Sequence, residues 1–131
     1  MKSETIRVKT NTRTELIDIT PDIEQKIRSS GYKNGIVMVY VPHTTSGITI
    51  NESADPAVKD DILKILSQIA PYKAGYRHIE GNSDAHIKAS LVGSSVMFAV
   101  ENGNTVLGTW QGIFFCEFDG PRSRRVTIHY L

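Results

Sequence analysis

Residues 36–51 read IVMVYVPHTTSGITIN, and this run decides the fold. Its first six residues, Ile36 to Val41, are apolar at every position. That is the pattern of a strand covered on both faces and therefore central to a sheet. Pro42 stops the strand, because proline has no N–H to give the ladder. His43-Thr44-Thr45-Ser46-Gly47 then leads into a second strand over 48–51. In it Ile48 and Ile50 share one face, Thr49 and Asn51 the other. A hydroxyl and an amide on one face need partners, water or a ligand. Glu52 follows at the strand end.

Toward the N-terminus, Ile6 and Val8 alternate with Thr5, Arg7 and Lys9, and Glu15 to Ile19 forms another short strand. With Asn11 to Arg13 between them, the spacing predicts a hairpin. Thr20 as cap and Pro21 at the first position open a helix that Gly31 ends, burying Ile23 and Ile27. Toward the C-terminus, Asp55 and Pro56 open a longer helix. Its stripe of Val58, Ile62, Ile65 and Ile69, widened by Leu66, is expected to be core. Ser83 is the expected cap of a third helix, Asp84 suits its positive end, and Gly93 closes it. Ser95 to Val100 reads as a strand, Glu101-Asn102-Gly103-Asn104 as a hairpin turn, and Thr105 to Trp110 as the return strand. Gln111-Gly112 breaks it. Ile113 to Phe118 is a further apolar strand, Asp119-Gly120-Pro121 a turn. Arg124 to Tyr130 alternates, with Val126, Ile128 and Tyr130 facing in. About eight strands and three helices, joined mostly by antiparallel hairpins, make one α+β domain over residues 1–131.

Length and composition narrow the function classes. A chain of 131 residues is long enough to bury a sizeable core. A net charge of +1 gives no general pull toward nucleic acid or anionic membrane, so neither is an expected partner. Cys116 stands alone, which rules out an intrachain disulfide and fits a reducing compartment. No apolar leader or membrane-length run is present, so the expected location is cytoplasmic.

Two sets of residues carry chemistry. The stretch 75–91, GYRHIEGNSDAHIKASL, holds His78 and His86 in a run too polar for a core. With His43, these make three imidazoles that suit an open zinc-type site, and Glu52, Glu80, Asp84 and Glu117 are available to orient them. The spacing matches no local zinc motif, and the same rings suit acid–base work or anion contact. The second set is phosphate-friendly: Thr44, Thr45, Ser46, Gly47, Lys88 and the arginines Arg122, Arg124 and Arg125. Arg125 reads as a solvated strand edge and Arg122 as a ligand contact. Trp110 is expected to anchor packing, Gln111 beside it to reach a ligand, and Cys116 to be a buried apolar residue. His129 lies on an outward strand face and is set aside.

Four motifs in order resemble the YjbQ-like family, whose members are often labelled secondary thiamine-phosphate synthase enzymes. They are HTTSGITINESADP at 43–56, the His78–Glu80–Gly81 run, NSDAHIKASLVG at 82–93 and LGTWQGIFFCEFDGPRSRRV at 107–126. The resemblance covers essentially the whole chain. It implies an α+β fold with a mainly antiparallel, barrel-like bifurcated sheet, assembled as a homotrimer. It also implies a polar site between subunits, built from His43, Thr44, Asn51, Glu52, His78, His86 and Gln111. The implied reaction joins a pyrimidine diphosphate to a thiazole phosphate and releases pyrophosphate. In that frame His43, Asn51, Glu52 and His86 are the catalytic candidates. Thr44, Thr45, Lys88, Gln111 and Arg122 are the substrate contacts. His43, His78 and His86 are the ligands for a divalent metal, zinc or magnesium. Magnesium prefers oxygen ligands, and no carboxylate-rich motif for it is evident. Two other readings use the same residues: a metal-dependent hydrolase or lyase with a three-histidine site, and a non-catalytic trimer that binds an inorganic anion.

Overall fold

The computed structural model describes residues 1–131. The strands are β1 (Lys2–Lys9), β2 (Glu15–Asp18), β3 (Gly35–Tyr40), β4 (Ser46–Glu52), β5 (Ser95–Glu101), β6 (Asn104–Val106), β7 (Gln111–Glu117) and β8 (Ser123–Tyr130). The helices are α1 (Thr20–Ser30), α2 (Pro56–Ile69) and α3 (Ser83–Val92). A curled five-stranded sheet runs β1-β8-β3-β5-β6, and a three-stranded sheet runs β2-β7-β4. Every pairing is antiparallel. This is the α+β, barrel-like bifurcated arrangement that the resemblance implied.

The larger core lies between the two sheets. Val37, Val39, Val126 and Ile128 from one sheet meet Ile48, Ile113 and Phe115 from the other, with Ile23 and Ile27 of α1 beside them. A smaller core lies on the far face of the three-stranded sheet, where Phe114 and Cys116 meet Ala85 of α3 and Ile62, Leu63 and Leu66 of α2. β7 therefore serves both cores, Ile113 and Phe115 facing one and Phe114 and Cys116 the other. Burial pushes the Cys116 thiol up to about 12, so it stays a neutral apolar group.

Several expectations are corrected. β3 is central, between β8 and β5, but only Val37 and Val39 are fully buried; Ile36 and Tyr40 are 40% and 39% exposed. The strand covered on both faces is β7. β1 and β2 do not form a hairpin: β1 pairs β8 and β2 pairs β7, so the chain crosses from one sheet to the other over residues 10–14. Alternation tells which face a strand buries and is silent about its partner. The return strand after the Asn102-Gly103 turn stops at Val106, and Gln111-Gly112 belong to β7. Asn102 and Gly103 have φ of 52° and 79°, as such a two-residue turn requires. Trp110 does not anchor packing; it is 63% exposed.

Two caps also differ. Thr20 is the first residue of α1 and lends its hydroxyl to the Ile113 N–H at 2.8 Å, tying α1 to β7. Asn82 rather than Ser83 holds the N-cap position of α3. Asp55 caps α2 as expected, accepting from Ala57 N–H at 2.9 Å. The α2 stripe is rotated from its expected place. Ile62, Leu63 and Leu66 pack on the smaller core, whereas Ile65 and Ile69 are 50% and 61% exposed.

Truncations along α2 separate these faces. In urea unfolding Leu66→Ala should lower stability by about 2 kcal/mol, the low end for a packed leucine. Ile65→Ala should change it by less than about 0.5 kcal/mol, and Asp55→Ala should cost about 1 kcal/mol. Equal losses for Leu66→Ala and Ile65→Ala would contradict the observed helix face.

Candidate functional site

Two of the crossings between the sheets, residues 10–14 and 118–122, run side by side. Thr10 N–H donates to Arg122 O at 2.9 Å, Arg122 N–H to Thr10 Oγ1 at 2.8 Å, and Gly120 N–H to Arg13 O at 2.9 Å. The end of the fold where the sheets part is thus closed by backbone bonds, and polar side chains fill the gap.

At the bottom of the gap Glu117 of β7 meets Arg124 of β8. The guanidinium donates from Nε to Oε1 at 2.9 Å and from Nη2 to Oε2 at 2.5 Å. Both side chains are buried, at 0% and 5% exposure. Thr10 hydroxyl and the N–H groups of Phe118 and Asp119 donate to the same carboxylate. Burial alone would raise the Glu117 pKa, but Arg124 and these donors outweigh it and hold the carboxyl below its ordinary range. Arg124 also donates to Thr45 Oγ1 at 2.8 Å.

A second layer lies above. Asp119 accepts from Arg13 at 3.1 Å, from Arg122 Nη2 at 3.0 Å and from Asn82 Nδ2 at 2.9 Å. Burial pushes its pKa up, and Asn82 with the two arginines brings it below the ordinary value. Arg13 continues to Asp84 at 2.9 Å, and Asp84 meets Lys88 at 3.2 Å. Arg13 also stacks on Tyr72, its Cζ 3.8 Å from the ring centroid, which ties the loop before α3 to the same layer.

These layers floor a cleft of about 690 Å³. His43, Thr44 and Thr45 enter it from the β3–β4 connection, His78 and Glu80 from the loop before α3, and His86 from the first turn of α3. Asp119, Arg122 and Arg124 enter from the start of β8 and the turn before it. The His78 and His86 rings meet edge to face at 5.5 Å between centroids, and His78 Nε2 lies 3.9 Å from Glu80. His43 is oriented by the main chain: Arg125 N–H lies 3.0 Å from its Nε2. Nε2 is therefore the acceptor, and the ring proton sits on Nδ1. Burial and the nearby Arg124 charge lower its pKa from 6.5, in agreement with a neutral ring.

The cleft thus gathers His43, Thr44, Thr45, His78, His86 and Arg122. Asn51, Glu52 and Gln111 are not among them: Glu52 is paired with Gln111 at the opposite end of β4 and β7. Lys88 is 2% exposed and spent on Asp84, so it offers no free charge to a substrate. The i,i+4 spacing permits this pair on the helix, but the burial of both groups, with Arg13 reaching Asp84 from 71 residues away, is set by packing. Asn82 and Asp119 line the cleft, although from the sequence Asn82 is passed over and Asp119 reads only as part of a turn. Both lie inside the motifs at 82–93 and 107–126 that carry the family resemblance, which is the signal that could have marked them.

For a metal, the donor set within one chain does not fit. No three His, Cys, Asp or Glu side chains are placed to hold one ion. His43 Nε2 already accepts a main-chain bond. Arg122 and Arg124 line the same space, which suits an anion better than a cation.

Comparison with known proteins follows the same outline. The family described as UPF0047 protein YjbQ-like matches residues 4–131. A UPF0047 protein of Methanocaldococcus jannaschii is 59% identical over 93% of this chain and 88% of that one. The UPF0047 protein YugU of Bacillus subtilis is 52% identical over 95% and 96%. A crystal structure of a YjbQ/UPF0047 protein from Clostridium acetobutylicum superposes with a TM-score of 0.95 at 50% identity, covering 98% of this chain and 99% of that one. A hypothetical protein from Aeropyrum pernix gives 0.95 at 36% identity, covering 100% and 98%.

Two measurements probe the site. Folded Glu117 and Asp119 have depressed pKa values, so their stabilisation is present above the ordinary carboxyl value and lost as pH falls through the lower folded ones. Urea stability should therefore drop most steeply below about pH 4.5, the ordinary Glu117 value. Glu117→Gln should be less stable at pH 7 and show a shallower acid fall; an unchanged slope would count against the pair. By NMR, His43 should be the neutral Nδ1–H tautomer at pH 7 and gain its second proton only below 6.5. An Nε2-protonated ring would refute the assigned orientation.

Proposed function

The chain belongs to the UPF0047 YjbQ-like family, and from that premise we propose that it is a small-molecule enzyme whose cleft holds the phosphoryl group of its substrate. One observation carries the reading: the carboxylates at the cleft floor are fully engaged by internal partners, while the groups facing the opening are mainly donors, with Glu80 the one exposed acid beside His78. Glu117 and Asp119 are bound from within. Arg122, 53% exposed at its side chain, and Thr44 and the His43 Nδ1–H are left for a ligand. Charge-assisted bonds from a guanidinium to a phosphoryl oxygen are the strong kind. A neutral imidazole donor adds to them without repelling Arg124.

One reaction that the family resemblance implies for such a cleft is the coupling of a pyrimidine diphosphate with a thiazole phosphate. In that reaction the thiazole nitrogen forms a bond to the pyrimidine methylene, and the carbon–oxygen bond to the diphosphate breaks with its electron pair. Arg122 and His43 would stabilise the departing diphosphate, and the His78–His86 pair would manage protons at the cleft mouth. What supports this assignment is the match of donors to a leaving anion. No step is assigned to a metal ion; one tightly held zinc per purified chain would overturn that choice.

We further propose a homotrimer as the working form. Support comes from the outer face of the five-stranded sheet, where Ile36, Tyr40, Met97 and Val106 are 40%, 39%, 60% and 47% exposed. An apolar sheet face of this kind is normally covered. A neighbour there can also bring Asn51, Glu52 and Gln111 toward a cleft they do not reach within one chain.

Calorimetric titration with pyrophosphate tests the anion reading. The wild-type protein should bind it, and Arg122→Ala should weaken binding by about tenfold or more, the worth of a charged hydrogen bond. Binding that Arg122→Ala leaves untouched would sink the proposal. Light scattering should give three chain masses, and Met97→Lys should reduce the particle to single chains.

A further inference from the structure

A second hollow lies on the other side of His43 and His86. It has a volume of about 370 Å³, and His43, Thr44 and His86 line both spaces. Its other walls are Ser46 of β4, Ala89 and Ser90 of α3, and Gly93 and Ser94 of the turn into β5. No arginine, lysine, aspartate or glutamate reaches it. The two neighbouring spaces therefore differ sharply: one is built of ions, the other of hydroxyls and imidazoles.

The walls of the second space are held by main chain. Ile48 N–H donates to Gly93 O at 3.1 Å, and Val41 N–H to Ser94 O at 2.8 Å. A side chain at Gly47 would strike Gly93 O at 2.7 Å, so β4 and the α3–β5 turn touch directly. At the floor, Ser46 is 1% exposed and its Oγ has no hydrogen-bond partner. A buried hydroxyl left unpaired costs stability, and few such groups occur in a native fold. Ser90 keeps its hydroxyl at the rim, donating to His86 O at 2.9 Å with its own lone pairs free.

We propose that this second hollow is a subsite for an uncharged, polyhydroxylated portion of the substrate, so that the ligand is a phosphorylated polyol or sugar. The inference rests on the phosphoryl reading of the main cleft and stands as an alternative to the pyrimidine–thiazole coupling, whose partners carry no polyol chain. The phosphoryl group lies against Arg122, and the chain of hydroxyls passes His43 and His86 into the serine-lined space. There each ligand hydroxyl can both give and take a bond, which matches Ser and Thr hydroxyls better than an apolar ring or a second anion would. Ser46 gains the partner it lacks.

Calorimetry with four probes tests this: inorganic phosphate, ribose 5-phosphate, phenyl phosphate and pyrophosphate. Wild-type protein should bind ribose 5-phosphate about tenfold more tightly than phosphate or phenyl phosphate, the value of one or two neutral hydrogen bonds. Ser90→Leu, at an exposed helix position, fills the hollow and should shrink that preference to about twofold or less. Ser46→Ala should also shrink it while leaving the melting temperature equal or higher, since an unpaired buried hydroxyl is removed. A lower melting temperature would mean that Ser46 is structural and would overturn its role. Equal wild-type affinity for the three monophosphates, or a preference that survives both substitutions, overturns the subsite but leaves the phosphoryl reading standing. Pyrophosphate favoured over ribose 5-phosphate, with Ser90→Leu removing the advantage, would assign the hollow to a second anion and overturn the polyol. Failure of all four probes to bind overturns the phosphoryl reading itself.

Discussion

The Glu117–Arg124 pair is the constraint on which the rest of the structure depends. Glu117 sits on the three-stranded sheet and Arg124 on the five-stranded one, so the pair spans the line where the fold divides. Taking two ions out of water costs several kcal/mol each, and an incomplete set of partners would make the arrangement unfavourable. Here the carboxylate is surrounded by donors from Thr10, Phe118, Asp119 and Arg124. Thr10, Phe118 and Asp119 belong to the two adjacent crossings at residues 10–14 and 118–122, and Arg124 to β8. An apolar pair of equal volume would serve packing, but it would leave the Asp119 N–H without its acceptor, while the Phe118 N–H would keep only the Thr45 carbonyl at 3.2 Å.

That polar floor dictates the character of the cleft. Each carboxylate beneath it is claimed from below or from the side, so the surface presented to a ligand is mainly one of donors. Asn82 illustrates the logic. Its amide must turn the NH2 toward the Asp119 carboxylate, which can only accept. The backbone bond from Arg125 does the same for His43, settling its tautomer through a strand residue rather than another side chain. The site is thus oriented by the sheet ladder and by ion pairs, with little left to side-chain rotation.

The same economy explains the exposed apolar residues. β7 takes cover on both faces because two cores need it, and the five-stranded sheet is left with one bare face. On α2 the packed residues are those over Phe114 and Phe118, while Ile65 and Ile69 look outward. Tyr32 and Tyr130 close the opposite end of the larger core, their rings 5.1 Å apart, and burial with the Glu4 carboxylate raises the Tyr130 phenol to about 12.

By itself the sequence determined the elements and most of what each buries. Ile23 and Ile27 on α1, the Asp55 cap, the Asn102-Gly103 turn and the inward Val126–Ile128–Tyr130 row all follow from local rules of periodicity, capping and backbone conformation. His43, His78 and His86 were legible as chemistry because imidazoles stand out among polar loops. Their meeting in one cleft, however, was decided by tertiary structure. So was the fate of Lys88, which looks free on its helix and is consumed by Asp84, and of Glu117, an acid within an apolar strand whose partner lies on the next strand. Whether β1 pairs with β2 or β8 was likewise beyond the sequence pattern. The physical reason is common to all of these. Periodicity and capping act over a few residues and report a face. Strand partnership, burial and cavities depend on which elements pack together, and packing decides even whether a near pair such as Asp84–Lys88 or Glu117–Arg124 is buried or left in water.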